Sequence, residues 1–439
     1  MKSIYFTLAI ILFTAFTTTA QEKILSYDEA IDMAMNQNLT LKRERNNLIL
    51  SRAEQRQAYL DLIPDVNGSV SGSRFNGNQF IQEIDLLVNQ TVWNAGARVG
   101  AEATLFNGMR QLNSIHRGNT LRRAQDELVE WTAQDVIYNV SIQYMQVLLD
   151  KQLLVIAKEN LEAQKNQAER IKGLVEAGAR PIVDQYNQEA EVGRVQVEVV
   201  RGEAQLENDK AILGQLLMLN PSVEFDVVNP EMPVNITLYE NTTIDELYEM
   251  ALANRSDLKN LALLEEGARY QAKIAKGSLY PSLFLGWAAQ TSYTDASPIG
   301  WEDQLKENNL QNQAYLSLSI PVFNGWRART DVARARVQQE NTMIDYQLQK
   351  RQVFTDLQQT YLDYAEALAT FNLSEQRVIA TQLAFDAQQE RYKLGTATYV
   401  EFTEANRALA EAKANLAQAE ITLRFQEIVL DYQTGNLAN

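Results

Sequence analysis

The sequence predicts an α+β membrane protein built from a duplicated unit, with four transmembrane β-strands per chain and long α-helices. Three observations carry this. Short stretches recur 217 positions apart along the chain, the apolar period within each copy switches from helical to alternating and back, and the helical runs exceed what a single globular core needs.

Composition fits long helices better than several small domains, because 439 residues include only 8 Pro and 19 Gly. The opening stretch MKSIYFTLAIILFTAFTTTA has a basic Lys2, an apolar run from Ile4 to Phe16 and a small-residue ending, so residues 1–20 read as a secretory signal cleaved after Ala20. The absence of Cys excludes disulfides, thiolate metal sites and a lipid-bearing N-terminal Cys. After the signal no apolar run reaches the length of about 18 residues that a spanning helix requires. Entry into a membrane therefore requires a closed β-barrel, the other structure that satisfies every backbone polar group in lipid. A formal charge of −16 argues against nucleic acid as a partner. It fits plain solubility, and it also fits an acidic lumen that favours cations.

The interval appears first at two capping boxes, Ser26-Tyr27-Asp28-Glu29 and Thr243-Ile244-Asp245-Glu246. Leu62-Ile63-Pro64 then matches Leu279-Tyr280-Pro281, Leu105-Phe106-Asn107-Gly108 matches Val322-Phe323-Asn324-Gly325, and the glycine of LVEAGARPIVDQ (Gly178) matches that of RYKLGTATYVEF (Gly395). The expected organisation is a first structural repeat over 21–219, a Pro-containing connector over 220–241 with one short strand, and a second repeat over 242–439.

Each repeat opens with helix, broken near Asn38 in the first and near Ser256 in the second, and closed by Pro64 or Pro281. Alternation follows. Val66, Gly68, Val70 and Gly72 oppose Asn67, Ser69, Ser71 and Ser73, and strands are expected at about 65–75 and 97–106, then 282–292 and 314–323. Strands of this length, apolar on one side and polar on the other, fit a membrane barrel. Phe75, Trp93, Tyr293, Phe106, Phe323 and Trp326 near their ends serve equally as interfacial girdles or as packing residues. Four strands do not close on themselves. Two chains would give eight strands and a filled interior, whereas three would give twelve and a lumen.

After each Phe-Asn-Gly a helical run reaches the glycine tip, over about 109–177 and 326–393, roughly 100 Å each at the α-helical rise. Return helices are expected over about 182–219 and 398–434. In the second, Leu409, Leu416, Leu423 and Leu430 recur every seven residues with Ala405, Ala412 and Ala419 between them, and Val192, Val199, Leu206 and Leu213 stand at the equivalent places in the first. A strict heptad predicts left-handed coiled-coil pairing.

These features, in this order and at one interval, resemble the TolC-like outer membrane efflux family. The resemblance covers essentially the whole chain after the signal. It implies a homotrimer whose twelve-stranded barrel sits in outer membrane lipid and continues as a long periplasmic α-helical barrel with coiled-coil tips. It implies a passive exit duct of a tripartite efflux or type I secretion system, served by a periplasmic adaptor (membrane fusion protein) and an inner-membrane pump. No cofactor, metal or nucleic acid is implied. By the same resemblance Ala177, Gly178, Ala179, Leu394, Gly395 and Thr396 form adaptor-binding tips, and Tyr392, Asp184, Glu401 and Glu404 stand at the periplasmic entrance gate.

In the family a tyrosine and an arginine on the second tip hold the entrance shut. Here Ala397 occupies the arginine's place, and the basic residue is Arg180 on the first tip, set to reach a carboxylate across the gap. Plain helix capping also accounts for two of these residues. Thr398 to Glu401 is a capping box, and Asp184 lies in the first turn after Pro181, where the helix dipole favours an anion. Glu404, one turn further in, does not fit a cap, and acidic residues repeated round a lumen would favour cations.

An enzyme is not expected. The single histidine, His116, sits on a long helix, and nothing supplies a nucleophile pair or a phosphate-cradling loop. The rival reading is a periplasmic coiled-coil scaffold or adaptor with no pore, which would need the helices but not four alternating strands.

Overall fold

A computed structural model describes residues 23–81, 85–229, 239 and 242–437. The signal segment 1–20 and most of the stretch between 230 and 241 lie outside the described residues. The first half runs β1 (Lys23–Leu25), α1 (Tyr27–Gln37), α2 (Leu39–Leu60), β2 (Asp65–Ile81), β3 (Leu86–Phe106), α3 (Arg110–Glu176) and α4 (Ile182–Leu216). After β4 (Phe225–Val227) come α5 (Ile244–Asn254), α6 (Ser256–Gly277), β5 (Ser282–Thr294), a short α7 (Trp301–Asp303) continued by a π turn (Gln304–Asn308), β6 (Gln311–Ser319), α8 (Arg327–Lys393) and α9 (Tyr399–Thr434).

The boundaries follow local chemistry. Ser26 and Glu29 form a reciprocal capping box that starts α1. Asn38 ends that helix and starts the next, its Oδ1 accepting the Thr40 and Leu41 amides at 2.9 and 3.0 Å. In the second half Arg255 holds that place and pairs with Asp257 at 2.8 Å. At the first Phe-Asn-Gly turn Gly108 has φ +68, and a Cβ there would lie 2.4 Å from the Gly277 carbonyl oxygen, so both the turn and the close approach require glycine.

Contacts divide the chain into two units. One holds residues 42–132 and 252–355, and its centre is an antiparallel sheet in the order β2-β3-β5-β6. Both hairpins keep one register: Asp65 faces Glu102, and 217 positions on, Ser282 faces Ser319. Because cross-strand partners share a face, Val70, Val99, Trp287, Leu285, Leu316 and Leu318 form one apolar surface. It is uncovered, with Val70 87% and Leu318 61% exposed. The opposite face carries Ser69, Ser71, Arg98 and Glu102, and the Tyr315 hydroxyl crosses Gly286 to donate to Glu102 at 2.8 Å.

Two strand expectations need correction. The first hairpin does not open into a loop after residue 75, since pairing continues to Ile81 opposite Leu86. The last strand covers 311–319 rather than 314–323, because Pro321 has no N–H to extend the ladder.

In the same unit α3 is packed between two helices. On one side Asn119 accepts from Gln55 at 2.6 Å and donates to the Tyr59 hydroxyl at 2.8 Å; on the other His116 stacks on Tyr270 at 5.3 Å and Asn260 donates to the Ala124 carbonyl at 2.6 Å. No described helix is long and apolar enough to cross a membrane.

The other unit takes in the described residues of 1–41, 133–251 and 356–439. Here β1 and β4 pair in parallel, and the buried Tyr144 hydroxyl lies 2.7 Å from the Val228 carbonyl and 3.0 Å from that of Leu25. The heptad residues Leu409, Leu423, Leu430, Val199, Leu206 and Leu213 are buried, each removing apolar surface worth about 1.5–3 kcal/mol from water.

Asp150 of α3 and Asp209 of α4 are both buried and lie close enough for each carboxyl to act on the other. Gln146 donates to the first, Gln143 and Gln205 to the second, while the neighbouring Lys151 and Lys210 are turned to Asp226 of β4. Burial first, and then Asp209, push the Asp150 carboxyl up to about 7. The folded chain thus keeps a proton that the unfolded chain releases near 3.8, so this stability is complete at low pH and is lost as pH rises towards 7. Asp209, held below its ordinary value, offsets part of that slope. Asp150→Asn is expected to flatten the fall in melting temperature between about pH 4 and 7 and to melt higher than the parent at pH 8. Thermal melts of detergent-purified protein check this, and parallel pH profiles would refute it.

Candidate functional site at the helix tips

Both long helices end in the same Schellman geometry, with Gly178 at φ +72 and Gly395 at φ +75. At the first tip Ala179 N–H reaches the Leu174 carbonyl at 2.8 Å and Gly178 N–H the Val175 carbonyl at 2.9 Å. At the second the pairs are Thr396 to Arg391 at 2.9 Å and Gly395 to Tyr392 at 3.1 Å. The return helices restart at once. Pro181 presets α4, and Thr398 with Glu401 closes a capping box on α9, where Glu401 Oε2 accepts the Thr398 amide at 2.7 Å. The Thr398 amide and then its hydroxyl hold the exposed Glu401 carboxyl below its ordinary value. Glu401 is thus engaged as a cap in this structure.

Tyr392, only 3% exposed, packs with Ala397 and Phe402, its ring stacked on Phe402 at 5.0 Å and edge-on to Tyr399 at 6.5 Å. Arg180 comes from the other tip. Its Nη2 donates to the Tyr392 carbonyl at 2.7 Å, and its Cζ lies 4.2 Å from the ring centroid. The guanidinium therefore supplies a cation both to the aromatic face and to the carbonyl-rich end of α8.

This corrects the expected wiring in two respects. Arg180 engages a carbonyl and a ring rather than a carboxylate, and the buried Tyr392 hydroxyl has no hydrogen-bond partner among the described residues. Ala397 stands where an arginine was sought, and that position is buried in the cluster with Tyr392 and Phe402. Asp184 is half-buried and its charge acts on Tyr392 and Tyr399. Glu404 is exposed, as is Leu394 at the tip.

One turn and more beyond the tip lies a group that the sequence did not reveal. The Glu191 side chain, 3% exposed, accepts from Arg407 at 3.1 and 2.5 Å and from Arg194 at 3.0 and 2.7 Å. Burial alone would raise its carboxyl, but the Arg407 and Arg194 guanidiniums outweigh it and hold the group at about 2. Beside it Gln188 accepts from the Tyr399 hydroxyl at 3.1 Å and donates to Gln164 of α3 at 2.7 Å. Helices α3, α4 and α9 are thus tied together just above the tips. The repeat hid this group, since the positions 217 away from Glu191, Arg194 and Arg407 are Ala408, Glu411 and Ala190.

The family model described as outer membrane efflux protein matches residues 30–217 and 247–436, two segments whose starts are again 217 apart. The chain is 24% identical over 346 residues to the outer membrane protein TolC of Escherichia coli K12, covering 72% of this chain and 69% of that protein. It is 22% identical over 383 residues to the probable outer membrane lipoprotein SilC of Salmonella typhimurium, covering 86% and 79%. The crystal structure of the outer membrane protein VceC from Vibrio cholerae superposes with a TM-score of 0.81 at 15% identity, over 93% of this chain and 96% of that one. Taken with the uncovered apolar sheet and the paired helix tips, these matches establish that the chain belongs to the outer membrane efflux protein family and resides in the outer membrane.

Proposed function

We propose that the protein is the passive exit duct of a tripartite efflux or type I secretion system, a homotrimer that conducts substrates delivered by a periplasmic adaptor and an inner-membrane pump. The carrying observation is the four-stranded sheet, whose apolar face is uncovered and whose two outer strands have unpaired edges. In lipid every edge must be paired, so the sheet requires other copies, and three copies give twelve strands with room for a lumen. A scaffold without a pore would have no use for such a face. In this reading each chain contributes two structural repeats, 21–219 and 242–439, and their helices continue the barrel through the periplasm.

The tips form the entrance. Arg180 and Tyr392 hold it closed, while Asp184 and Glu404, with Glu401 at its cap, charge its rim. Residues 177–179 and 394–396 meet the adaptor. The work is conduction rather than catalysis, and the pump selects the substrate. Two measurements test the reading together. Fractionation is expected to yield a heat-modifiable trimer in the outer membrane, and the purified protein is expected to form cation-favouring channels in planar bilayers. A soluble, elongated protein without conductance would overturn it.

A further inference from the structure

We propose that the helix ends nearest the sheet form a basic collar that binds the phosphate headgroups of anionic phospholipids in the periplasmic leaflet of the outer membrane. This rests on the reading above only in setting the helices on the periplasmic side. The chain is acidic overall, yet its charge is divided unequally. Residues 42–132 and 252–355, the unit that holds the sheet, carry 23 Lys and Arg against 20 Asp and Glu, whereas the rest of the chain carries 17 against 36. Within that unit the positive charge gathers where helix meets strand. The segments 52–60, 110–123, 269–277 and 327–336, which end α2 and α6 and begin α3 and α8, hold 13 basic residues and 2 acidic ones. The connection 295–310 at the other end of the sheet holds one Lys and four Asp or Glu.

In the first repeat this charge forms a pocket. A cavity of about 540 Å³ between α2 and α3 is lined by Arg52, Arg56, Arg122, Gln55, Tyr59 and Leu60. Asp126 pairs with Arg122 and lies 3.9 Å from Arg52, while Arg56 has no ion pair among the described residues. Three cations thus share one anion. The Tyr59 hydroxyl accepts from Asn119 at 2.8 Å, which leaves its own proton free to donate to a phosphate oxygen. The duplication repeats the arrangement. The positions 217 on from Arg52, Arg56 and Tyr59 are Arg269, Lys273 and Lys276, all three exposed. Residues at i, i+4 and i+7 share a helix face, so α2 and α6 each present a basic stripe at the same place. Charge is kept there while Arg is exchanged for Lys, as an anionic partner requires.

The adjoining surface selects lipid as the source of the anion. Arg56 is one turn, about 6 Å, from the last residue of α2, and the headgroup layer is about 5–7 Å deep on each side of the hydrocarbon. Beyond the helix ends Ile63, Tyr280, Val322 and Phe323 are exposed and lead on to the uncovered apolar face of the sheet. Lys and Arg lay their stems along such a surface and keep their charge among the headgroups. Each one near an anionic leaflet strengthens binding about fivefold. A periplasmic polyanion or free phosphate would meet the same charge but would make no use of the apolar rim.

Full-length protein purified in detergent is titrated with short-chain phosphatidylglycerol and, separately, phosphatidylcholine, and bound lipid is counted by native mass spectrometry. The parent is expected to prefer phosphatidylglycerol by about tenfold or more, R52Q/R56Q/K273Q/K276Q to lose that preference, and R52K/R56K to keep it. R56Q/K276Q, which breaks no ion pair, is expected to weaken phosphatidylglycerol binding about fivefold per charge and decides the matter if the quadruple variant does not fold. K306Q, at the other end of the sheet, is expected to bind as the parent does. Equal preference in parent and stripe variants would overturn the collar, as would an equal loss in K306Q. Displacement of the lipid by inorganic phosphate at the same concentration would show a site for the free ion instead. Binding to isolated peptidoglycan that the stripe variants lose, with lipid preference unchanged, would also refute the lipid assignment. A soluble protein on fractionation would sink the underlying reading, whereas an outer membrane trimer without lipid preference would sink this proposal alone.

Discussion

Arg180→Ser is expected to raise the closed-state conductance in planar bilayers by at least an order of magnitude, while Tyr392→Phe alone leaves it near the parent value. The two outcomes differ because, in the proposed gate, the contact between the tips is made by the guanidinium and not by the phenol. Arg180 makes a charged hydrogen bond to the Tyr392 carbonyl at 2.7 Å and lies 4.2 Å over its ring. A hydrogen bond to a charged group is worth about 1.5–3 kcal/mol and a cation over an aromatic face about 0.5–1 kcal/mol. Losing both shifts a closed-to-open equilibrium by about 2–4 kcal/mol, and each 1.4 kcal/mol is about tenfold. The Tyr392 hydroxyl makes no hydrogen bond among the described residues, so its removal costs nothing of this and relieves a buried unpaired group. Arg180→Lys separates charge from geometry. An ammonium keeps the cation but cannot lie flat on the ring while donating to the carbonyl, so an intermediate conductance is expected. Equal conductance in all three variants would remove Arg180 from the gate.

Much of the fold was legible because its rules are local. Pro64 and Pro281 stop helices, Ser26 with Glu29 and Thr398 with Glu401 start them, and Gly178 and Gly395 turn the chain, each by chemistry within a few residues. The 217-residue interval then assigned the halves to one another, and both hairpins keep one register across it. What escaped was chemistry that joins the halves without obeying that interval. Arg180 and Tyr392 are 212 residues apart, and Glu191 and Arg407 are 216 apart, so neither pair aligns in a comparison of the two copies. The length of the first hairpin escaped for another reason. Asn and Gly are poor strand formers, so Asn76-Gly77-Asn78 carry no strand signal of their own, and only their pairing with Thr91, Gln90 and Asn89, visible in three dimensions, makes them strand.

The second large effect concerns Glu191. Replacing both Arg194 and Arg407 by alanine is expected to destabilise the helical unit by about 3–5 kcal/mol, because a carboxylate 3% exposed would be left without a cation. Replacing Glu191 by leucine in that double variant is expected to recover most of the loss, since an apolar side chain is at home where the carboxylate was buried. This asymmetry distinguishes an electrostatic joint from a packing position, which the added leucine would not rescue.

The pH dependence carries a second signature of the same group. Its carboxyl is held at about 2 in the folded chain against 4.5 unfolded, so the stabilisation is complete above about pH 4.5 and is lost as pH falls towards 2. That interval corresponds to a contribution on the order of 3 kcal/mol. Melting temperatures measured from pH 6 down to pH 2.5 should therefore fall steeply for the parent and more gently for the triple variant Glu191→Leu, Arg194→Ala, Arg407→Ala. Matching slopes would mean that the acid sensitivity lies elsewhere. Because α4 is tied here to α9 and, through Gln188, to α3, a loss confined to this triad should also loosen the tips that Arg180 and Tyr392 join. The double variant Arg194→Ala, Arg407→Ala is then expected to leak in bilayers even with Arg180 in place, and a tight double variant would show that the joint holds the helices without bearing on the gate.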